Sequence, residues 1–138
     1  MLSAASWHTP LDYRHCDRVV TLYHPDHAAR TVTRAVVRGA YLDDKRVSST
    51  DRTGTSAANR FLLILPECHA RFGVDYTLAP LDKVLLGAGP VVEYDGWASF
   101  IPSAVEHLSV VKYVDEQWFA GARCHVEAGG WYRYAYQP

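Results

Sequence analysis

Each of the three cysteines in this 138-residue chain stands beside a histidine, as His15-Cys16, Cys68-His69 and Cys124-His125. Thiolate and imidazole are ligands zinc favours, and a thiol served by a histidine base is also the pairing of a cysteine nucleophile. The spacing speaks against both. Adjacent residues on a strand point to opposite faces, so a Cys-His dipeptide does not offer both ligands to one ion, and no Cys-x₂-Cys pair anchors a tetrahedral site. Cys16, His24 and His27 form the nearest cluster, and it lacks a fourth ligand. A nucleophile would have to be assembled from distant positions, Cys68 or Cys124 with His107 or His69, without support from the local sequence. There is no Gly-x-Ser-x-Gly elbow, His-Glu-x-x-His helix or phosphate loop, and Gly87-Ala88-Gly89 lacks the third glycine and following helix of a dinucleotide site. These residues predict a protein that is not an enzyme and holds no cofactor or metal, its cysteines serving as small buried hydrophobes. Trp97, Phe100 and Tyr113, interleaved with basic residues, are candidate stacking partners for a single-stranded nucleic acid, with a core role as the simpler alternative.

Composition narrows the classes further. Fourteen Lys and Arg against 15 Asp and Glu leave a net charge of −1, which does not favour wrapping nucleic acid, so any DNA contact must be local. Apolar residues at 49% and charged residues at 21% fit one folded domain over residues 1–138. Three well-separated cysteines are not a disulfide framework and point to a reducing compartment. The N-terminus lacks the basic opening and apolar run of a signal peptide, and no stretch has the length of a membrane helix. The expectation is a protein made in the cytoplasm with no membrane partner.

The elements that would position any site are mostly strands. Residues 1–17, with Pro10, read as an N-terminal arm. Residues 18–23, RVVTLY, form a strand ended by His24-Pro25-Asp26, and pair in a hairpin with residues 31–42, where Val32, Val37 and Tyr41 are core candidates and Gly39 marks a bulge or close approach. Residues 43–59 carry almost no apolar side chains and read as a long exposed loop, either a solvated flap or a segment ordered by a partner. Residues 60–66, RFLLILP, read as a strand covered on both faces. Residues 81–86 and 91–94 suggest strand, turn, strand, and Pro102 opens a possible short helix. Residues 108–127 read as a hairpin with Asp115-Glu116-Gln117 as the polar connection, and residues 131–138 as an aromatic tail with Tyr132, Tyr134 and Tyr136 on one face. The count is six to eight strands with at most one or two short helices, a small β-barrel or sandwich.

Taken in order, RVVTLYH, VVRGAYLDDKR, the polar stretch, FLLILPE, LDKVLLGAGPVV and LSVVKYVDEQWFAGARCHVEAGG make residues 18–130 resemble small tailed-phage and prophage proteins of the minor capsid or head–tail connector kind. The features that carry the resemblance are Ile64-Leu65-Pro66, Asp82-Lys83-Val84 with Gly87, and the closing strand, polar turn and strand of residues 111–130. The same order is similar to the head-completion, or stopper, proteins of long-tailed phages. The resemblance implies a small β-barrel with a long inter-strand loop, made in the host bacterial cytoplasm and placed as a homo-oligomeric ring in the virion neck. Its partners would be the portal or adaptor proteins and the tail proteins of the same phage. It makes the segment with Lys45, Arg46, Arg52 and Arg60 the candidate to reach the channel, its DNA or the next ring, and makes Trp7, Trp131, Tyr132, Tyr134 and Tyr136 candidate subunit contacts. The chain departs from the family pattern by adding an aromatic tail after Gly130. A small ligand- or nucleic-acid-binding barrel is the alternative.

Overall fold

The computed structural model describes residues 12–51 and 54–133, with the side chains of residues 45–59 and 131–133 left aside. Seven strands account for most of it: β1 (Arg18–Asp26), β2 (Thr31–Asp51), β3 (Gly54–Pro66), β4 (Lys83–Leu86), β5 (Leu108–Val110), β6 (Tyr113–Phe119) and β7 (Ala122–Arg133). A 3₁₀ turn at Tyr94–Ser99 is the only named helical element among the described residues. The strands form one antiparallel sheet in the order β5-β4-β1-β2-β3-β7-β6. The chain is mostly β, with a strand number inside the expected range.

Two segments bend this sheet by changing partners. β2 pairs with β1 through Ala40 and with β3 from Tyr41 onward. Residues 108–119 pair first with β4, as β5, and then with β7, as β6. Because β5 and β6 are consecutive in the chain, the two edges of the sheet are joined by only Val111 and Lys112, although they do not pair with each other and the sheet is not closed into a barrel. The inner face of this roll is a single apolar cluster: Val20 and Leu22, Val37 and Leu42, Leu63 and Leu65, Val84, Val111, Val126 and Ala128. Tyr76 and Leu78, from the β3–β4 connection, enter the same core. On the opposite face of β1 and β4, Tyr23 and Leu85 alternate with Leu22 and Val84 and pack with Phe100 and Leu108 under the long β4–β5 connection.

Several expectations give way here. The expected barrel or sandwich is one curled sheet. Residues 43–59, expected as a loop, are extended over 43–51 and 54–59, with Asp51 opposite Gly54 and the connecting residues outside the described set. Backbone pairing to a neighbour can hold a strand whatever its side chains, so Ser, Thr and Asp there do not signal a loop. Asp115-Glu116-Gln117 is not a turn but the middle of β6, exposed because it is an edge strand. The turn is Ala120-Gly121, with φ of 53° and 83°, the positive pair a two-residue hairpin loop requires. β1 runs past Pro25 to Asp26, tolerated because β4 pairs only with Val20–Tyr23 of β1 and leaves that flank open. Residues 91–94 form no strand, Val91 being 70% exposed, and Gly129-Gly130 do not end a strand, since β7 runs through them. Residues 12–17 are not a loose arm, because Cys16 is buried.

Leu63 is wholly buried at the centre of the roll, whereas Trp118 is 57% exposed on β6. We expect Leu63→Ala to lower unfolding free energy by about 2–5 kcal/mol and Trp118→Ala by less than about 0.5 kcal/mol, read from urea midpoints; equal losses would contradict this placement of the core.

Candidate functional site

Of the buried polar groups among the described residues, Thr21 on β1 and Lys83 on β4 serve the β4–β5 connection. Thr21 donates its hydroxyl to the Gly87 carbonyl at 2.7 Å and accepts from the Gly89 amide at 2.7 Å. The Tyr23 hydroxyl donates to the Pro90 carbonyl at 2.7 Å, and Arg34 Nε donates to the Gly89 carbonyl at 2.9 Å. A Cβ on Gly89 would collide with the Tyr23 hydroxyl and Leu85, so the glycine is there for close approach. The backbone of Gly87 to Pro90 is thereby committed to the fold rather than offered to a phosphate.

Asp82 and Lys83 continue the pattern. Asp82 is 2% exposed, accepts from the Ala79 amide at 2.9 Å and faces His24 Nδ1 at 2.9 Å. Burial pushes its carboxyl above the ordinary carboxylate range, and the hydrogen bonds from His24 and Ala79 oppose that. Lys83 Nζ donates to the Trp97 and Phe100 carbonyls at 2.8 Å and 2.6 Å and sits 4.0 Å from the Trp97 ring centre. Burial lowers its pKa. The sequence offered Asp82-Lys83-Val84 only as a resemblance; a charged pair inside a strand otherwise rich in Leu and Val was the signal that both groups have partners in the fold.

The cysteine–histidine pairs do not converge. His24 is held by Asp82 and His27 Nδ1 by the Tyr94 hydroxyl at 2.7 Å, so neither turns to Cys16. His69 Nδ1 contacts the Gly39 carbonyl at 2.7 Å, which is the close approach expected at Gly39. Among the described residues no group of three or more His, Cys, Asp or Glu is placed to hold a metal ion. His125 is 5% exposed beneath Tyr13, whose hydroxyl lies 2.7 Å from Nδ1. Residues 12–16 thus cover the outer face of β7 and β3, and a recess of about 410 Å³ opens between Tyr13, Tyr41, Ile64, Gln117 and Glu127. Of the candidate stacking residues, Phe100 is buried and Trp97 packs on Lys83, leaving only Tyr113 on the surface.

The residues singled out for assembly come together at one end of the sheet. β3 places Arg60 opposite Lys45 on β2 and opposite Trp131 on β7, and the next row aligns Arg46, Asn59 and Tyr132. Segments far apart in sequence therefore share one pole. Arg60 is exposed and lines a groove of about 460 Å³ with Asp43, Leu62, Lys112 and Tyr113. Gly129 makes room for Tyr113: a Cβ there would lie 2.6 Å from the Tyr113 hydroxyl. Trp7, Arg52, Tyr134 and Tyr136 lie outside the described residues. No protein-family model matches the chain, and no curated protein or solved structure matches it either.

Burial pushes the His125 imidazole below the ordinary histidine value of 6.5, with Glu127 acting the other way. A group with a depressed folded pKa contributes stability that is present above 6.5 and lost as pH falls through the folded value. The unfolding free energy of wild type should therefore fall toward that of His125→Gln on acidification from about pH 7.5 to about pH 4.5. Parallel pH profiles in denaturant titrations would remove the buried neutral histidine.

Proposed function

We propose that the chain is a structural subunit of a tailed-phage or prophage neck, a head-completion or stopper protein that joins the portal region to the tail as part of a ring. The observation that carries this reading is the separation between a complete body and a long arm. The apolar core is built by residues before Asp43 and after Arg60, together with the β3 segment that follows Arg60. The backbones of β2 and β3 continue beyond the last β7 pairing at Ala58, and among the described residues Ser48 to Asp51 pair with Gly54 to Ala57. At about 3.3 Å per residue this ribbon extends on the order of 10 Å past β7.

A ring subunit needs this division. The body holds its shape before assembly, while arms and strand edges find partners and give up conformational freedom only when they do. The order of elements resembles the connector proteins, and the backbone register sets Lys45 and Trp131 in the row of Arg60, one row from Arg46 and Tyr132. On this reading Arg60 and the ribbon face the channel, its DNA or the adjoining ring, and the aromatic end of β7 meets a neighbouring subunit. Among the described residues no helix is long and apolar enough to cross a membrane.

Replacing residues 48–57 by a two-residue Asn-Gly turn should leave the urea midpoint of the purified protein within about 0.5 kcal/mol of wild type, because the core residues named above all lie outside that stretch. It should abolish entry into ring-shaped complexes with the portal, adaptor or tail proteins of the same phage, read by complex mass and by electron microscopy. Normal rings and infectious particles from the shortened chain would overturn the reading.

A further inference from the structure

The recess beside residues 12–16 has a volume of about 410 Å³, inside the range of about 300–1,000 Å³ that small-molecule sites occupy. The sheet register builds its floor. Tyr41 on β2, Ile64 on β3, Glu127 on β7 and Asp115 on β6 form one row, and directly opposed residues share a face. Tyr41 and Glu127 therefore stand two strand spacings apart, about 9–10 Å, with Ile64 between them. Gln117 and His125 form the next row on that face, and Tyr13 closes over it.

The recess lacks one cation. Asp115 and Glu127 are like charges directly opposed on neighbouring strands, which costs stability unless a cation joins them. Among the described residues the charged contact of Glu127 is His125 Nε2 at 3.7 Å, too long for a hydrogen bond. Burial holds that imidazole toward its neutral form, so it does not neutralise the carboxylate. Its Nδ1 is taken by the Tyr13 hydroxyl at 2.7 Å. On a residue only 5% exposed, Nε2 is thus left on the recess side without a hydrogen bond to a described residue. The other charges at the recess do not answer Glu127. Asp12 is engaged by Arg14 at 2.6 Å, with both side chains exposed, and His15 is exposed as well.

We propose that this recess is a binding site for a small molecule with a guanidinium head. A guanidinium presents forked N–H donors to a carboxylate and stacks flat on an aromatic ring. It is also more weakly hydrated than an ammonium, so an apolar floor costs it less. Glu127 takes the fork from one side, Ile64 lies beneath the plane and Tyr41 offers its ring from the other side. The Gln117 side-chain oxygen is a further acceptor within the same recess. A compact ammonium does not span the two strand spacings between Glu127 and Tyr41. The site is separate from the row of Arg60 and does not depend on the neck reading.

Agmatine, a small alkylguanidinium, tests this on the full chain, with putrescine as an ammonium on the same four-carbon stem. In calorimetric titration at about pH 7.5 and low salt, agmatine should bind one site with a Kd on the order of 1 mM or tighter, and putrescine about fivefold more weakly or less. Backbone amide resonances should shift around Tyr41, Ile64, Gln117 and Glu127. Glu127→Gln keeps the shape and removes the charge, and should weaken agmatine about tenfold or more with unchanged circular dichroism. Tyr41→Leu, which keeps an apolar wall without a π face, should weaken it about threefold. Glu116→Gln should leave it unchanged, because Glu116 is already engaged by Arg123 Nε at 3.3 Å. No saturable binding up to about 10 mM agmatine, shifts centred elsewhere, or Glu127→Gln binding like wild type would each overturn the site. Equal losses from Glu116→Gln and Glu127→Gln would reduce it to a general attraction of charge and overturn it too. Putrescine as tight as agmatine would overturn the guanidinium as its ligand.

Discussion

The fold depends on what happens at Val111 and Lys112. The Val111 amide donates to the Asp82 carbonyl at 2.8 Å and its carbonyl accepts from the Leu81 amide at 2.7 Å, while the next amide, that of Lys112, donates to the Gly129 carbonyl at 2.8 Å. Within two residues the chain leaves one edge of the sheet and joins the other. With the Val111 side chain wholly buried, this step holds the two ends of a seven-stranded sheet around one core. A flat sheet of the same strands would leave its inner face wet; bending it at β2 and at Val111 gives a short chain an interior without disulfides.

The same economy explains the polar groups. A rolled sheet still has an outer face, and on β1 and β4 that face is buried too, with Tyr23 and Leu85 beside Thr21 and Lys83. The β4–β5 connection covers it, and a connection has backbone groups that need partners. Thr21, Tyr23, Arg34 and Lys83 provide them. Asp82 and His24 fix the approach to β4 from the other side. Each of these side chains looks like a functional candidate when taken alone, and each is used by the fold.

How far the sequence could be read follows from which forces leave a local trace. Burial does: the β-branched and aromatic runs of β1, the proximal half of β2 and β3 were legible as strands, and Phe61, Leu63 and Leu65 repeat every second residue because one face of β3 is inside. Pairing without burial does not. The distal halves of β2 and β3 and the middle of β6 are held by backbone bonds to a neighbour, and their polar sequence misread them as loop or turn. Gly129 and Gly130 misled in the opposite sense, because they are small to admit Tyr113, Lys112 and Phe61 and not to break the strand. His125 was invisible as a buried group, since what buries it is Tyr13, distant in sequence. For the candidate site, the residue types were legible but their meeting was not: only the register places Lys45, Arg60 and Trp131 in one row.

The outer flank of β6 has no strand partner among the described residues. Natural sheets usually blunt such edges, and β6 carries two of the standard devices, a bulge between Gln117 and Trp118 and an acidic pair at Asp115-Glu116. These devices discourage indiscriminate pairing without preventing pairing with a matched strand, because a bulge fixes register and a charge selects its opposite. An edge meant only to stay single would not also expose Tyr113, Trp118 and Phe119 along seven residues. The roll thus keeps the chain folded, while the bulge and the acids of β6 restrict which strands could pair with its edge.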